Sequence, residues 1–237
     1  MSENKIAVLS NVQARENSLI RNVYGYMAGG LAVTALVSYL TAQSAALMRF
    51  FNTSFFGLML LMVAQLGLVI FLSSRIETMK RTTAIAAFFG YAAVTGFSFG
   101  SIFMVFDLGL IAQTFAITCL MFLGCSIYAS VTKRNLRGWG QYLMMGLWGL
   151  LIVSVVSFFF HSTMMEILIS VAGVVLFTGL AIWDTKRVVE MNRTYGSEMS
   201  IDEYTKLGIL SALNLYLDFL NIFLYLLRIF AISSNRD

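Results

Sequence analysis

The chain has no proline, one histidine and two cysteines in 237 residues. Without proline, any break or kink in a helix must come from Gly or Ser pairs, or from water inserted in the backbone ladder. The lone histidine, His161, has no partner nearby in sequence, which argues against a histidine metal site or a Ser-His triad; it reads as interfacial. Cys119 and Cys125 are six apart, on different faces of a helix, and read as buried free thiols rather than a disulfide framework. Charge is also scarce: 12% of residues are Asp, Glu, Lys or Arg, against about 25% in a soluble domain. Residues 1–22 are polar and mixed in charge, with no short apolar core of the kind a cleaved signal needs. The longest polar stretch after them is roughly 185–206, too little for a soluble domain.

What the chain has instead is long charge-free runs. Residues 22–48, 50–74, 82–106, 108–132, 138–165 and 167–183 contain no charged side chain. A membrane-spanning helix needs about 20 apolar residues. Five of these runs suffice outright, and the sixth does so with one interfacial residue at each end. A seventh stretch, 207–227, spans if Asp218 is tolerated. The expected fold is an all-α integral membrane protein with seven helices, at about 23–45, 54–73, 84–105, 108–131, 140–160, 165–184 and 208–230. The polar segment 1–22 precedes a single domain over 23–232, and 233–237 form a polar tail.

The net charge of +4 does not indicate nucleic acid, because the basic residues are spread over the loops. They report topology. With a cytoplasmic N-terminus, thirteen of them (Lys5, Arg15, Arg21, Arg75, Lys80, Arg81, Lys133, Arg134, Arg137, Lys186, Arg187, Arg193 and Lys206) fall on the cytoplasmic side. Only Arg49, Arg228 and Arg236 fall outside, a strong positive-inside bias. A re-entrant last segment would return the C-terminus to the cytoplasm, and the charge count is compatible with that too. Trp139, Tyr142, Trp183 and Tyr24 suit the interfacial aromatic belt, and Phe158, Phe159 and Phe160 suit lipid. Small residues four apart, Gly25 with Gly29 and Gly96 with Gly100, suit close helix packing.

The last apolar stretch carries a polar stripe. Ser211, Asn214, Asp218, Asn221, Tyr225 and Arg228 follow one another at spacings of 3, 4, 3, 4 and 3. That rhythm puts all six on one helix face, turned toward other helices or a water-filled path. A buried carboxylate needs a partner or a proton. Arg228 is about 15 Å along the helix from Asp218, too far to pair directly. Asp184, in AIWDTKR (181–187), is the candidate, although a sixth helix ending there leaves it shallower than Asp218. Two carboxyls that meet would share a proton and titrate as a pair. The bland alternative is that Asp184 only caps its helix against Lys186 or Arg187.

These stretches carry a resemblance. LYLDFLNIFLYLLRIF (215–230) closely resembles the C-terminal signature of the Bax inhibitor-1 family, also called the transmembrane BAX inhibitor motif or lifeguard family. AIWDTKRV resembles the end of that family's sixth helix, and SIYASVTKRNLRGWGQYLMMGLWGLLI (126–152) resembles its fourth-to-fifth segment. The resemblance covers about residues 20–232 and, lacking long extensions, points to a bacterial member in the inner membrane. It implies six helices around a central C-terminal one, and a pH-sensitive calcium leak. Asp184 and Asp218 would be the pH-sensing pair that latches the pore, and would hold calcium transiently. Arg75 is the closest match to an arginine that hydrogen-bonds near the latch, and Arg228 lies inside the signature. Some prokaryotic relatives carry an acidic residue within the second helix, where this chain has Gln65.

Three functions compete. The first is a calcium leak or passive transporter with calcium as permeant ion and no cofactor; the carboxylates, Asn214, Asn221 and water would supply the oxygens calcium prefers. The second is a membrane regulator that binds other membrane proteins, for example a membrane protease or a stress or cell-death factor. The third is an intramembrane aspartyl protease. It lacks the expected Gly-x-Gly-Asp motif, since Asp218 follows Leu215, Tyr216 and Leu217. The chain therefore reads as a non-enzyme whose surroundings are the lipid bilayer.

Overall fold

In the computed structural model, the described residues are 2–136, 138–157, 159–160, 162–195 and 201–234, with side chains described outside 2–18, 192–195 and 201. Arg137, Phe158 and His161 lie outside them, as do the side chains of Lys5, Arg15, Arg193 and Arg236. The described residues form α-helices and no strands. In chain order these are α1 (Ser2–Gln43), α2 (Ala45–Met48), a π-helical turn (Arg49–Thr53), α3 (Phe55–Arg75), α4 (Arg81–Phe99), α5 (Ile102–Val105), α6 (Leu108–Val131), α7 (Trp139–Ser157), α8 (Thr163–Tyr195) and α9 (Ile201–Ser234). Seven segments are long and apolar enough to cross a membrane: Leu19–Gln43, Phe55–Arg75, Arg81–Val105, Leu108–Val131, Trp139–Ser157, Thr163–Met191 and Asp202–Ser234. They match the seven charge-poor stretches, and the protein is a multi-pass membrane protein.

Helix ends depart from the sequence reading in three places. The polar N-terminal segment is not separate from the first span, because α1 runs unbroken from Ser2. The third span breaks after Phe99, at the pair Gly100-Ser101, and resumes as α5. A Cβ on Gly100 would lie 2.7 Å from Thr41 Cγ2, so the glycine sits where the first span presses close. The sixth helix does not stop at Asp184 but continues to Tyr195, and the seventh begins at Ile201. Most of the polar stretch 185–206 is thus helical. Backbone groups need hydrogen bonds whatever the side chains, and a helix supplies them without a partner.

The chain divides into two compact units, residues 1–105 with 188–216 and residues 106–187 with 217–237. In the first, α1 and α3 both pack on α4. Thr34 Oγ1 donates to the Ala92 carbonyl at 2.9 Å, and Ser38 Oγ to the Gly96 carbonyl at 3.0 Å. Only a glycine at 96 permits this approach: a Cβ there would fall 2.6 Å from Val37 Cβ and 2.9 Å from the Thr34 carbonyl oxygen. Gly29 packs similarly against Phe89, whereas Gly25 faces open space; the neighbouring Gly30, under the Phe88 ring, replaces it as the second packing glycine. On the other side of α4, Gln65 Nε2 donates to Ser98 Oγ at 2.5 Å, which satisfies the only strongly polar group of α3's interior. The outward face of α3 (Phe55, Phe56, Met62, Val63, Leu66 and Ile70) is exposed and belongs in lipid.

In the second unit the apolar side of α9 is buried. Phe219 meets Phe115 and Phe122 edge-on at 5.4 and 5.7 Å, and Tyr225 stacks on Phe177 at 6.0 Å. Half of the α9 membrane window is buried, against a third or less of the other six. α7 is the least covered span; Gly140 is its buried residue, lying against the Trp183 indole. Cys125 is buried and Cys119 half-buried, both free.

Candidate functional site: the paired aspartates

The site follows from where α8 and α9 end. Asp184 is eleven residues before Tyr195, about 17 Å of helix, and Asp218 is seventeen residues after Ile201, about 25 Å. With α8 extended past Arg187, Asp184 is no longer at its helix end, and the mismatch inferred from sequence narrows to about 8 Å. Asp184 is 8% exposed and Asp218 5%. Their carboxyls lie within hydrogen-bonding reach of each other. Asp218 Oδ2 is buried without a hydrogen-bond partner.

Two carboxyls hydrogen-bond only if a proton lies between them, since an ionised carboxylate has no donor. The pair therefore has three states: doubly ionised, singly protonated and doubly protonated. The singly protonated state makes the charge-assisted, strongest bond. The doubly ionised state sets two like charges against each other in a poorly solvated place. The charge nearest the pair is Arg187, within electrostatic reach of Asp184, with its guanidinium carbon 5.6 Å from the Trp183 ring centre. The sequence left Lys186 as a salt-bridge partner for Asp184. Lys186 instead is buried and donates to the Thr132 carbonyl at 2.5 Å, beyond the C-terminal end of α6.

The stripe residues take different places. Asn221 Nδ2 donates to the Leu217 carbonyl of its own helix at 2.8 Å. Tyr225 lies with its ring against Gly173, where a Cβ would be 2.5 Å from Cδ2. Ser211 and Asn214 are half-buried and fall in the first unit's portion of α9, and Arg228 is exposed. Arg75 is exposed, and its side chain makes no hydrogen bond or ion pair among the described residues. The described residues hold no group of three or more His, Cys, Asp and Glu suited to a metal. Calcium takes six to eight oxygens, so the two carboxyls alone suit a passing ion better than a resident one.

One buried cluster was not legible in sequence. Tyr216 is fully buried, and its hydroxyl lies 2.6 Å from Thr34 Oγ1, which also donates to the Gly30 carbonyl at 3.0 Å. Thr95 lies beside the same phenol, its own hydroxyl donating to the Tyr91 carbonyl at 2.9 Å. Phe88 and Tyr91 meet the Tyr216 ring edge-on, each at 5.9 Å. Threonine and tyrosine are common in apolar helices, so no spacing marks them; the one hint is that Tyr216 precedes Asp218 by two residues.

Residues 16–235 match the family model described as "Inhibitor of apoptosis-promoting Bax1". The inner membrane protein YbhL of Escherichia coli is 40% identical over 208 residues, 88% of each chain. A protein of Borreliella burgdorferi is 37% identical over 220 residues, 93% of this chain and 94% of its own. YrjE of Lactococcus lactis is 36% identical over 228 residues, 93% and 94% of the two chains.

Proposed function

The chain belongs to the family of the inhibitor of apoptosis-promoting Bax1, and from that premise we propose that it is a pH-sensitive calcium leak, or passive transporter, gated by Asp184 and Asp218. The observation that carries the reading is the approach, within hydrogen-bonding reach, of two carboxyls that are each more than nine-tenths buried, in consecutive spanning helices. Such a contact depends on one proton. While that proton is held, α8 and α9 are tied together. Losing it creates repulsion, and adding a second replaces a charge-assisted bond with a weaker neutral one. Flux through the protein should then pass through a minimum where the pair is singly protonated and rise on either side. Calcium is the permeant ion rather than a cofactor, the stripe from Ser211 to Arg228 lines its path, and no bond-breaking chemistry is involved. The thirteen-to-three bias of basic residues supports a cytoplasmic N-terminus. The printed name of the Escherichia coli relative supports an inner-membrane location.

The experiment is calcium flux into liposomes carrying purified protein, from pH 5 to 8, with the wild type beside Asp184→Asn and Asp218→Asn. The gate requires a pH-dependent wild type and a flattened profile in either variant. A wild type no faster than empty liposomes at every pH would remove the leak. The second reading, a regulator that binds a membrane protease or a stress factor, would then take its place, tested by what co-purifies after gentle extraction.

A further inference from the structure

We propose that the end of the second unit formed by Trp183, Arg187 and residues 132–134 binds the phosphate headgroup of an anionic phospholipid. This does not depend on the calcium reading. The hydrogen bond from Lys186 Nζ to the Thr132 carbonyl brings the end of α6 beside α8. Lys133 and Arg134 follow Thr132 directly, and Arg187 follows Lys186. Three exposed basic side chains thus leave the protein within two residues of one contact.

The position of each donor is fixed, yet its donor capacity is free. Lys186 is used up on the helix end, where its charge also complements the α6 dipole. The side chains of Lys133 and Arg134 make no hydrogen bond or ion pair among the described residues. Their segment is held by Leu136, buried to 3% exposure. Arg187 lies over the Trp183 ring, and that indole is seated against Gly140, where a Cβ would be 2.4 Å from Cζ2. The Trp183 Nε1–H has no hydrogen-bond partner among the described residues. An indole N–H beside a guanidinium and two free cations is a donor set for phosphate oxygens.

Charge and depth select the source of that phosphate. Within this unit, Asp107 and Glu166 lie at the starts of α6 and α8, the opposite end. At the basic end Asp184 is buried within electrostatic reach of Arg187, and Glu190, half-buried one turn further along α8, has an interaction of its own. Trp139 and Tyr142, 53% and 76% exposed, mark this end as the level of the lipid headgroups. A headgroup phosphate is anchored at that depth, whereas a free anion is not.

The test uses the full chain in neutral detergent, read by retained lipid in native mass spectrometry and by the thermal midpoint. The added probes are phosphatidylglycerol, phosphatidylcholine and inorganic phosphate. Phosphatidylglycerol should be retained and raise the midpoint, and the other two should do neither. Each basic residue removed should weaken the lipid about fivefold. The triple variant Lys133→Ala, Arg134→Ala, Arg187→Gln should therefore lose the shift, and Trp183→Phe should weaken it while keeping the ring. If the triple variant does not fold, Arg134→Ala alone carries the test, because that exposed side chain makes no hydrogen bond or ion pair among the described residues. Lys80→Ala with Arg81→Ala, basic residues of the other unit, should leave retention unchanged. Equal loss from that pair would mean diffuse surface charge and overturn the proposal. So would equal retention of phosphatidylcholine, or a shift reproduced by inorganic phosphate.

Discussion

The hydroxyl of Tyr216 lies 2.6 Å from that of Thr34, joining the last helix to the first at a point fully shielded from solvent. The single O–H of Thr34 is shared between the Gly30 carbonyl of α1 and the Ala92 carbonyl of α4. One threonine thus ties three helices of the first unit. Removing only the phenol oxygen, in Tyr216→Phe, should cost about 1 kcal/mol, the range of interhelical hydrogen bonds in membrane proteins. Tyr216→Ala, which also empties the space between Phe88 and Tyr91, should cost about 3–5 kcal/mol. Because both ends of one bond are removed, Tyr216→Phe and Thr34→Val should combine to less than their sum. Unfolding in mixed micelles reads all three; strict additivity would mean that the two hydroxyls are not coupled.

Gly96 and Gly25 offer a paired comparison. A methyl at 96 meets Val37 and the Thr34 carbonyl, one of them backbone, so α1 and α4 would have to separate. Gly96→Ala should destabilise by about 1–3 kcal/mol. Gly25 has nothing within 4 Å of the added Cβ, and Gly25→Ala should be neutral or stabilise by up to about 1 kcal/mol through helix propensity. The same unfolding assay decides; equal effects would sink the close-packing account.

This contrast marks where sequence reading reached its limit. The seven spans were legible because lipid excludes charge over about 20 residues, a length scale that any window count sees. The two aspartates were legible because a carboxylate in such a window stands out. Helix ends were not, because α8 continues through Thr185, Lys186 and Arg187, residues that composition assigns to a loop. That extension sets the depth of Asp184. Which glycine packs and which threonine bonds across helices depend on rotation of each helix about its axis. In a helix apolar on nearly every side, no polar face reveals that rotation. Lys186 shows the same limit: its neighbour in sequence is Asp184, but its bond goes to the Thr132 carbonyl, 54 residues away.

The shared proton makes a stability prediction separate from flux. In the wild type the Asp184–Asp218 contact is present while the pair holds one proton and is lost as pH rises through its release. Asp218→Asn replaces the shared proton with an amide that donates to Asp184 at any pH above the protonation of that one carboxyl. The variant's unfolding midpoint should therefore stay level as pH rises, while the wild type's falls. The gap should be about 1–3 kcal/mol at the alkaline end, the range for hydrogen bonds to charged groups. Asp218→Ala should lose the contact at every pH. Parallel pH profiles for wild type and Asp218→Asn would show that no proton is shared.

Lys186 tests whether a buried cation at the end of α8 is structural. Its ammonium is nearly inaccessible and donates to the Thr132 carbonyl, a group beyond the last turn of α6 that would otherwise be left in a poorly solvated place. Lys186→Met keeps the length and apolar stem but removes the donor. The carbonyl then loses its partner, and the expected cost is about 1–3 kcal/mol. Lys186→Arg, with a different head but the same charge and donors, should recover part of that loss if the guanidinium fits, and no more than part, because the site holds a compact ammonium. A loss that tracked the pH profile of Asp218→Ala would instead tie Lys186 to the carboxyl pair, and the assignment of its bond to Thr132 would fall.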